Sequence, residues 1–399
     1  MRVALFTESF FPVVNGVSVS VRTLAENLRS AGHEVLIVAP RFPGHHDSPQ
    51  SVTGSAADSL PIVRVPSWRT PLNPQNPFAY PPGLTSLRTL HEWKPDIVHT
   101  HHPFGIGLQG AKLARERRIP LISTFHTLYT EYSHYVPLLP AGWVASVVRR
   151  YLRFYYERCQ FVIVPSNESG RRLGETGLPT ERLRRVPTGV PDASAVSEEA
   201  IRLARRRFDL PEGCPVVLFV GRLAREKNPD LLLAAFAALR NLPHCLLVLA
   251  GDGPFRSDVE RAIERLALRS RVRLTGFLTF GELAPLYSLA SVFAFPSSSE
   301  TQGVVLCEAM SYGLPCVAVR GGGAPEFLRD GIDGRLVDPS PEPFAAALTE
   351  ILVDLPLRAR FSEAARNTPL RLTPEQMTTE MLRLYSEAQD RTQQKGEPR

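Results

Sequence analysis

Short, continuous apolar runs alternate along the chain with segments whose apolar residues recur every three or four positions. The first pattern suits strands buried on both faces and the second suits amphipathic helices, so the alternation predicts an α/β protein built on parallel sheets. In the first half the predicted strands are 3–7, 35–39, 62–65, 97–100, 121–125 and 161–164. A helix is predicted over 17–30, with Gly32 as its left-handed C-terminal stop. Segments 42–59 and 69–83, rich in Pro, Ser, His and Asn, read as loops.

The rhythm restarts in the second half with strands at 216–220, 245–250, 272–275, 292–295 and 316–319. The turn residues of Pro187-Thr-Gly-Val-Pro-Asp192 end a strand that begins near Arg184 and place a boundary near 190. Two Rossmann-like, doubly wound domains are expected, 1–190 and 191–399, facing a cleft. A last helix over 374–388 follows the second sheet, and the pattern leaves open which domain it packs on.

Length agrees with this division, because 399 residues exceed one ordinary core and suit two of about 150–200 residues. No apolar run reaches the roughly 18 residues that cross a bilayer, and the first residues are too weakly apolar for a signal peptide, so a cytoplasmic protein is expected. Five cysteines, an odd number without a Cys-x-x-Cys pair, indicate neither a disulfide framework nor a zinc site. The net charge of +6 is uneven: residues 1–190 hold 21 Lys and Arg against 13 Asp and Glu. That surplus suits a polyanionic partner, either acidic lipid headgroups or nucleic acid, or else scattered solvated arginines.

A Gly-x-Gly-x-x-Gly fingerprint directly after a strand is not read in the chain, nor is a Walker motif or an Asp-x-Asp diphosphate-metal motif. A bound diphosphate would then be neutralised by the protein, with no metal ligands assigned. Phe219-Val-Gly-Arg-Leu-Ala-Arg-Glu-Lys-Asn228 leaves a strand through Gly221 and brings Arg222 and Lys227 to a turn before a helix. Two cations beside a helix N-terminus suit a pyrophosphate. Only four of the 46 basic residues are lysines, so Lys227 stands out in an arginine-rich chain. In Phe295-Pro-Ser-Ser-Ser-Glu300-Thr-Gln-Gly303, a strand runs into a loop, and a helix starting near Gly303 carries Val304 and Glu308. Two carboxylates there can accept from sugar hydroxyls, which are mainly O–H donors.

These motifs resemble the family 4 retaining glycosyltransferases of the two-Rossmann-domain, GT-B type, across essentially the whole chain. The most specific marks are Glu300-x7-Glu308 with Gly303 between, Arg222-x4-Lys227, Gly251-Asp-Gly-Pro254, Gly276-Phe-Leu278 and Pro187-Thr-Gly-Val190. The resemblance implies an acceptor-binding first domain and a nucleotide-sugar-binding second domain. It implies that Glu308 holds the ribose, Glu300 the hexose, and Arg222 with Lys227 the diphosphate, while Gly276, Phe277 and Leu278 contact the base. In the first half, Gly16 in Pro12-Val-Val-Asn-Gly16 opens a helix and could approach the donor phosphates. His126 lies just past a strand end, where α/β sheets place ligand groups, and the resemblance makes it a catalytic residue beside the sugar. His99, His101 and His102 cluster without an acidic ligand set and read as strand-end residues.

Thr100-His-His-Pro-Phe104 and Phe125-His-Thr-Leu-Tyr129 are most similar to diacylglycerol hexosyltransferases, with mannosyltransferases close behind. The stretch from Trp143 to Arg158 mixes apolar and aromatic residues with Arg149, Arg150 and Arg153, as an interfacial helix does. The expected partners are a nucleoside-diphosphate hexose, with UDP-glucose as the guess, a lipid acceptor met by Tyr129 and Trp143, and the anionic inner face of the cell membrane. No nucleic acid is expected. The alternatives are a GDP-mannose-dependent α-mannosyltransferase and, in another class, a non-catalytic nucleotide-sugar-binding protein.

Overall fold

The computed structural model describes residues 1–42, 60–70, 73–79, 84–128 and 141–396. The expected loop 42–59 and the proposed acceptor residue Tyr129 lie, but for residue 42, outside the described residues. The first half contains β1 (Arg2–Phe6), α1 (Gly16–Ser30), β2 (Glu34–Pro40), β3 (Ile62–Val65), β4 (Ser67–Thr70), β5 (Asn73–Ala79), α2 (Leu84–Trp93), β6 (Ile97–Thr100) and α3 (Gly105–Arg117). It continues with β7 (Leu121–Thr124), α4 (Ala141–Tyr156), β8 (Phe161–Val164), α5 (Asn167–Gly174) and β9 (Leu183–Arg185). Seven strands form one parallel sheet in the order β3-β2-β1-β6-β7-β8-β9.

The second half contains α6 (Glu198–Arg207), β10 (Val216–Val220), α7 (Pro229–Ala237), β11 (Leu246–Ala250), α8 (Arg256–Arg265), β12 (Val272–Gly276) and α9 (Phe280–Leu289). It ends with β13 (Val292–Phe295), α10 (Val304–Ser311), β14 (Cys316–Val319), β15 (Gly334–Val337), α11 (Pro341–Val353), α12 (Leu355–Arg366) and α13 (Pro374–Gly396). Its parallel sheet runs β12-β11-β10-β13-β14-β15.

Strand periodicity sorts the apolar side chains onto two faces. In β10, Val216, Leu218 and Val220 enter one cluster, while Val217 and Phe219 enter the other. Helices cover both faces, which is why these strands are continuous apolar runs.

The chain divides into two compact units, residues 1–189 with 372–399, and residues 190–371. The segment from residue 372, whose helix the sequence pattern left open between the two domains, therefore groups with the first unit. The stripe Met377, Met381, Leu384, Tyr385 and Ala388 of α13 is buried in the same cluster as Val3, Leu5, Ile97 and Ile122. A correction concerns the expected loop 69–83, of which 71–72 and 80–83 lie outside the described residues: its described part belongs to β4 and β5, which pair antiparallel. Pro74 and Pro77 lie in β5 between the paired residues Asn73 and Phe78, where the register shifts, so neither is among the paired residues of the ribbon.

Candidate active site

In each sheet the chain reverses its direction of winding once, and α/β proteins bind ligands beyond the strand ends at such points. In the second unit the reversal lies between β10 and β13, neighbours that β11, β12, β14 and β15 flank. The loops leaving these two strands carry Arg222, Lys227 and Glu300.

The loop after β10 is seated by glycines. Gly221 donates its N–H to Ala250 (3.0 Å), and Leu223 donates to the carbonyl of Asp252 (3.0 Å). A Cβ on Gly251 would stand 1.9 Å from the Gly221 carbonyl oxygen, and one on Gly253 would stand 2.3 Å from that of Leu223. Only glycine permits these approaches. Gly276, with φ of 71°, bridges to Gly251, so the ends of β10, β11 and β12 form one row of tight backbone. Next to it Leu278 is buried, while the Phe277 ring is 54% exposed. An exposed aromatic there can stack on a base.

Within the same loop the Nε of Arg222 is buried and has no hydrogen-bond partner among the described residues. A buried guanidinium N–H without an acceptor is costly, and a phosphate oxygen would satisfy it. Lys227 forms an ion pair with Oε1 of Glu300, each side chain being 22% exposed. The Ser297 and Ser299 hydroxyls donate to the carbonyl of Glu226 at 3.1 and 3.2 Å, joining the loops after β13 and β10.

Gly303, at φ of 84°, starts α10, and no side chain caps this helix end beside Val304. Leu306 N–H donates to the Gly303 carbonyl at 2.9 Å, which leaves the N–H groups of Val304 and Val305 as the ones that can meet an anion. Glu308, in the second turn, is only 8% exposed, and its Oε2 accepts from the Tyr287 hydroxyl at 2.9 Å. Burial raises its pKa above the usual carboxylate value, and the Tyr287 hydrogen bond opposes that rise. Oε1 of Glu308 has no hydrogen-bond partner among the described residues and can accept from a hydroxyl.

The sequence reading missed what supports Glu300 from below. Gly321, Gly322 and Gly323 lie against the loop that carries it: Cβ atoms there would come within 2.7 Å of Ser298 Cβ, 2.5 Å of the Glu300 oxygen and 2.4 Å of the Thr301 oxygen. Gly323 donates its N–H to Glu300 O at 2.7 Å. Three consecutive glycines after a strand were the available signal.

In the first unit the reversal lies between β1 and β6. Asn15 caps α1, and Gly16 begins it; a Cβ on Gly16 would meet nothing within 4 Å. The fold of this unit therefore does not itself require glycine there. His101 Nδ1 and His126 Nε2 lie 2.9 Å apart, and His99 is held by the Tyr385 hydroxyl and Thr124 Oγ1, each at 2.7 Å. Burial lowers all four histidines of this group, His99 to about 3 and His102 to about 4, so the group is neutral at pH 7. Among the described residues no cluster of His, Cys, Asp or Glu is arranged to hold a metal ion.

One sequence reading is corrected here, because Gly105-Ile-Gly-Leu-Gln-Gly110 is a Gly-x-Gly-x-x-Gly that opens α3 shortly after β6. A dinucleotide would place its pyrophosphate on such a helix N-terminus. Here Oε1 of Glu8 already accepts from Ile106 N–H at 2.6 Å, and a Cβ on Gly105 would fall 2.0 Å from that oxygen. The chain's own carboxylate occupies the seat. Gly107 and Gly110 serve close packing, against the His102 carbonyl and the Phe6 and Thr100 side chains.

On α4, Trp143, Val147 and Phe154 are exposed, with Arg150 and Arg153 on the solvent side and Arg149 half-buried. Arg153 pairs with Glu157, and Arg158 lies over the Phe154 ring. Among the described residues no helix is long and apolar enough to cross a membrane.

Two family models match the chain, "Glycosyltransferase Family 4" over residues 14–194 and "Glycosyl transferases group 1" over residues 201–368. The alpha-monoglucosyldiacylglycerol synthase of Streptococcus pneumoniae is 32% identical over 325 residues, 80% of this chain and 71% of that protein. The GDP-mannose-dependent alpha-mannosyltransferase of Mycobacterium tuberculosis is 33% identical over 342 residues, 84% of each. Among solved structures, Anabaena HepE in complex with UDP-glucose has a TM-score of 0.76 at 20% identity, covering 97% of this chain and all of that one. With two parallel-sheet units, reversal points that carry the motif residues, and relatives of this length and identity, the chain belongs to the family 4 glycosyltransferases of the GT-B fold.

Proposed function

We propose that this glycosyltransferase moves a hexose, with retention at the anomeric carbon, from a nucleoside diphosphate to a lipid hydroxyl such as that of diacylglycerol. The observation that carries the donor reading is the buried, unsatisfied Nε of Arg222 beside the Lys227–Glu300 pair. Arg222, Lys227 and the N-terminus of α10 neutralise the departing diphosphate, so no divalent cation is required. Charge builds on that diphosphate as the bond to the hexose C1 breaks, and these groups therefore favour the transition state over the bound donor. The acceptor oxygen forms its bond to C1 on the same face, and its proton passes to the leaving phosphate oxygen. The sugar carbon passes through an oxocarbenium-like state. Glu300 and His126 orient the hexose, Glu308 accepts from the ribose, Gly16 approaches the phosphates, and Phe277 with Gly276 and Leu278 meets the base.

The lipid acceptor is supported by two observations. One relative is named a glucosyldiacylglycerol synthase, and α4 exposes Trp143, Val147 and Phe154 next to arginines, a surface that suits an anionic bilayer on the cytoplasmic side. UDP-glucose is the first donor to test. GDP-mannose is the second, favoured by the mannosyltransferase relative at 33% identity. Nucleotide release is measured with each donor, with and without diacylglycerol in anionic vesicles, and with EDTA. Diacylglycerol-dependent UDP release that survives EDTA is the expected result. Release of GDP alone favours the mannosyltransferase reading, and binding of nucleotide sugar without transfer to any acceptor overturns the enzymatic one.

A further inference from the structure

The proposed mechanism uses His126, and four buried side chains of the first unit, His101, His99, Tyr385 and Thr124, hold it in place. His126 and His101 meet edge to edge: their ring planes differ by 23°, their centroids lie 5.2 Å apart, and Nδ1 of His101 faces Nε2 of His126 at 2.9 Å. This contact lies near both ring planes, where an imidazole carries its N–H and its lone pair. One ring donates and the other accepts. The opposite nitrogen of His101, Nε2, is buried and has no partner among the described residues.

That second nitrogen decides the direction. If His101 carried its proton on Nε2, a buried N–H would have no acceptor, and orphaned buried N–H groups are the rarest kind of unsatisfied atom. With the proton on Nδ1, only a lone pair is left unmet, and the Nδ1–H points at His126. His101 cannot rotate away, because His99 stacks on it with centroids 4.4 Å apart, and His99 is pinned at both nitrogens by Tyr385 of α13 and Thr124 of β7.

We infer that His101 is a positioning residue that donates Nδ1–H to His126 Nε2, so that His126 is held as its neutral Nδ1–H tautomer. Its value for the reaction rests on the reading that His126 meets the sugar. The fixed tautomer decides which ring nitrogen of His126 carries the proton that a sugar hydroxyl would meet.

The test begins with the full-length protein labelled with 15N-histidine at pH 7, the His126 signals being identified by their loss in His126→Gln. The expected spectrum shows Nδ1 of His126 protonated and Nε2 bare; a protonated Nε2, alone or together with Nδ1, overturns the proposal. Replacement follows: His101→Asn can still place an amide N–H at the position of Nδ1, whereas His101→Leu cannot. In His101→Leu the His126 tautomer is expected to become mixed and sugar transfer to lose about tenfold in kcat/KM, with His101→Asn restoring both to within about threefold. Equal losses in the two variants overturn it. If the protein transfers no sugar, the functional reading fails while the spectrum alone still decides the tautomer, and His101→Leu need not fold for the wild-type spectrum to count.

Discussion

The substitution Gly322→Ala separates backbone strain from displacement of the loop that carries Glu300. Gly322 has φ of 54°, and an added Cβ would lie 2.5 Å from the Glu300 oxygen and 2.9 Å from its nitrogen. Gly213→Ala is the matched control, since Gly213 has φ of 72° but nothing within 4 Å of its Cβ position. The left-handed conformation costs an alanine about 1–2 kcal/mol in either place. For a unit of this size that is a fall in Tm of about 2–8 °C. Only Gly322→Ala also drives a methyl into the Glu300 peptide, and that peptide has to yield by more than half an ångström to reach ordinary contact. Displacements of about 1 Å in a positioning group can cost on the order of 100-fold in rate. Thermal melts and steady-state kinetics on both variants make the comparison. Equal kcat/KM in Gly322→Ala and Gly213→Ala would refute the idea that the glycine run sets the position of Glu300.

Gly16→Ala is expected to leave Tm unchanged or to raise it through the gain of about 0.5–1 kcal/mol that alanine gives in a helix, because its Cβ has open space. The same variant should raise the donor KM at least about tenfold, and an unchanged KM removes Gly16 from the phosphate site. Tyr287→Phe leaves the buried Glu308 carboxylate without its donor and should cost about 1.5–3 kcal/mol at pH 8. Glu308 already has a raised pKa, so this cost should shrink as pH falls through that pKa and the carboxyl becomes neutral; a loss that stays constant from pH 8 down to the acid limit of folding contradicts it. His99 and His102 are lowered from 6.5 to about 3 and about 4. Below pH 6.5 the unfolded chain therefore binds protons that the folded chain refuses, and the first unit should lose stability steadily from pH 6.5 toward pH 4. A first unit whose hydrogen-exchange protection is flat over that range speaks against burial of the cluster.

Much of the sheet framework was legible because buried parallel strands are unbroken apolar runs: 62–65, 97–100, 161–164, 216–220, 292–295 and 316–319 coincide with observed strands. β15 escaped because its four residues include Arg335, whose charge is paired with Glu350 on α11, so no apolar run marks it. The stripe of α13 has the same period whichever core it meets, and sequence alone could not assign it to the first unit. In the candidate site, the motif residues could be named individually, but not their partners. That Lys227 pairs with Glu300, that Tyr287 holds Glu308, and that His101 lies against His126 depend on contacts between segments distant in the chain. Glu8 was overlooked for the same reason, since its role arises only where β1 comes beside the start of α3.

The return of α13 to the first sheet shapes how the protein is made. The face bearing Val3, Leu5, Ile97 and Ile122 waits for Met377, Met381, Leu384 and Tyr385, which leave the ribosome only after the whole second unit, Val190–Arg371, has been synthesised. At about 5–20 residues per second that interval lasts roughly 10–40 s. The second unit, continuous in sequence, can close its own core during this time, while the earlier-made sheet still lacks one of its covering helices. Nascent chains arrested before residue 372 should therefore expose the first unit to proteases and chaperones although every one of its strands has already been synthesised, and a late ribosomal stall is the event against which this fold is least protected.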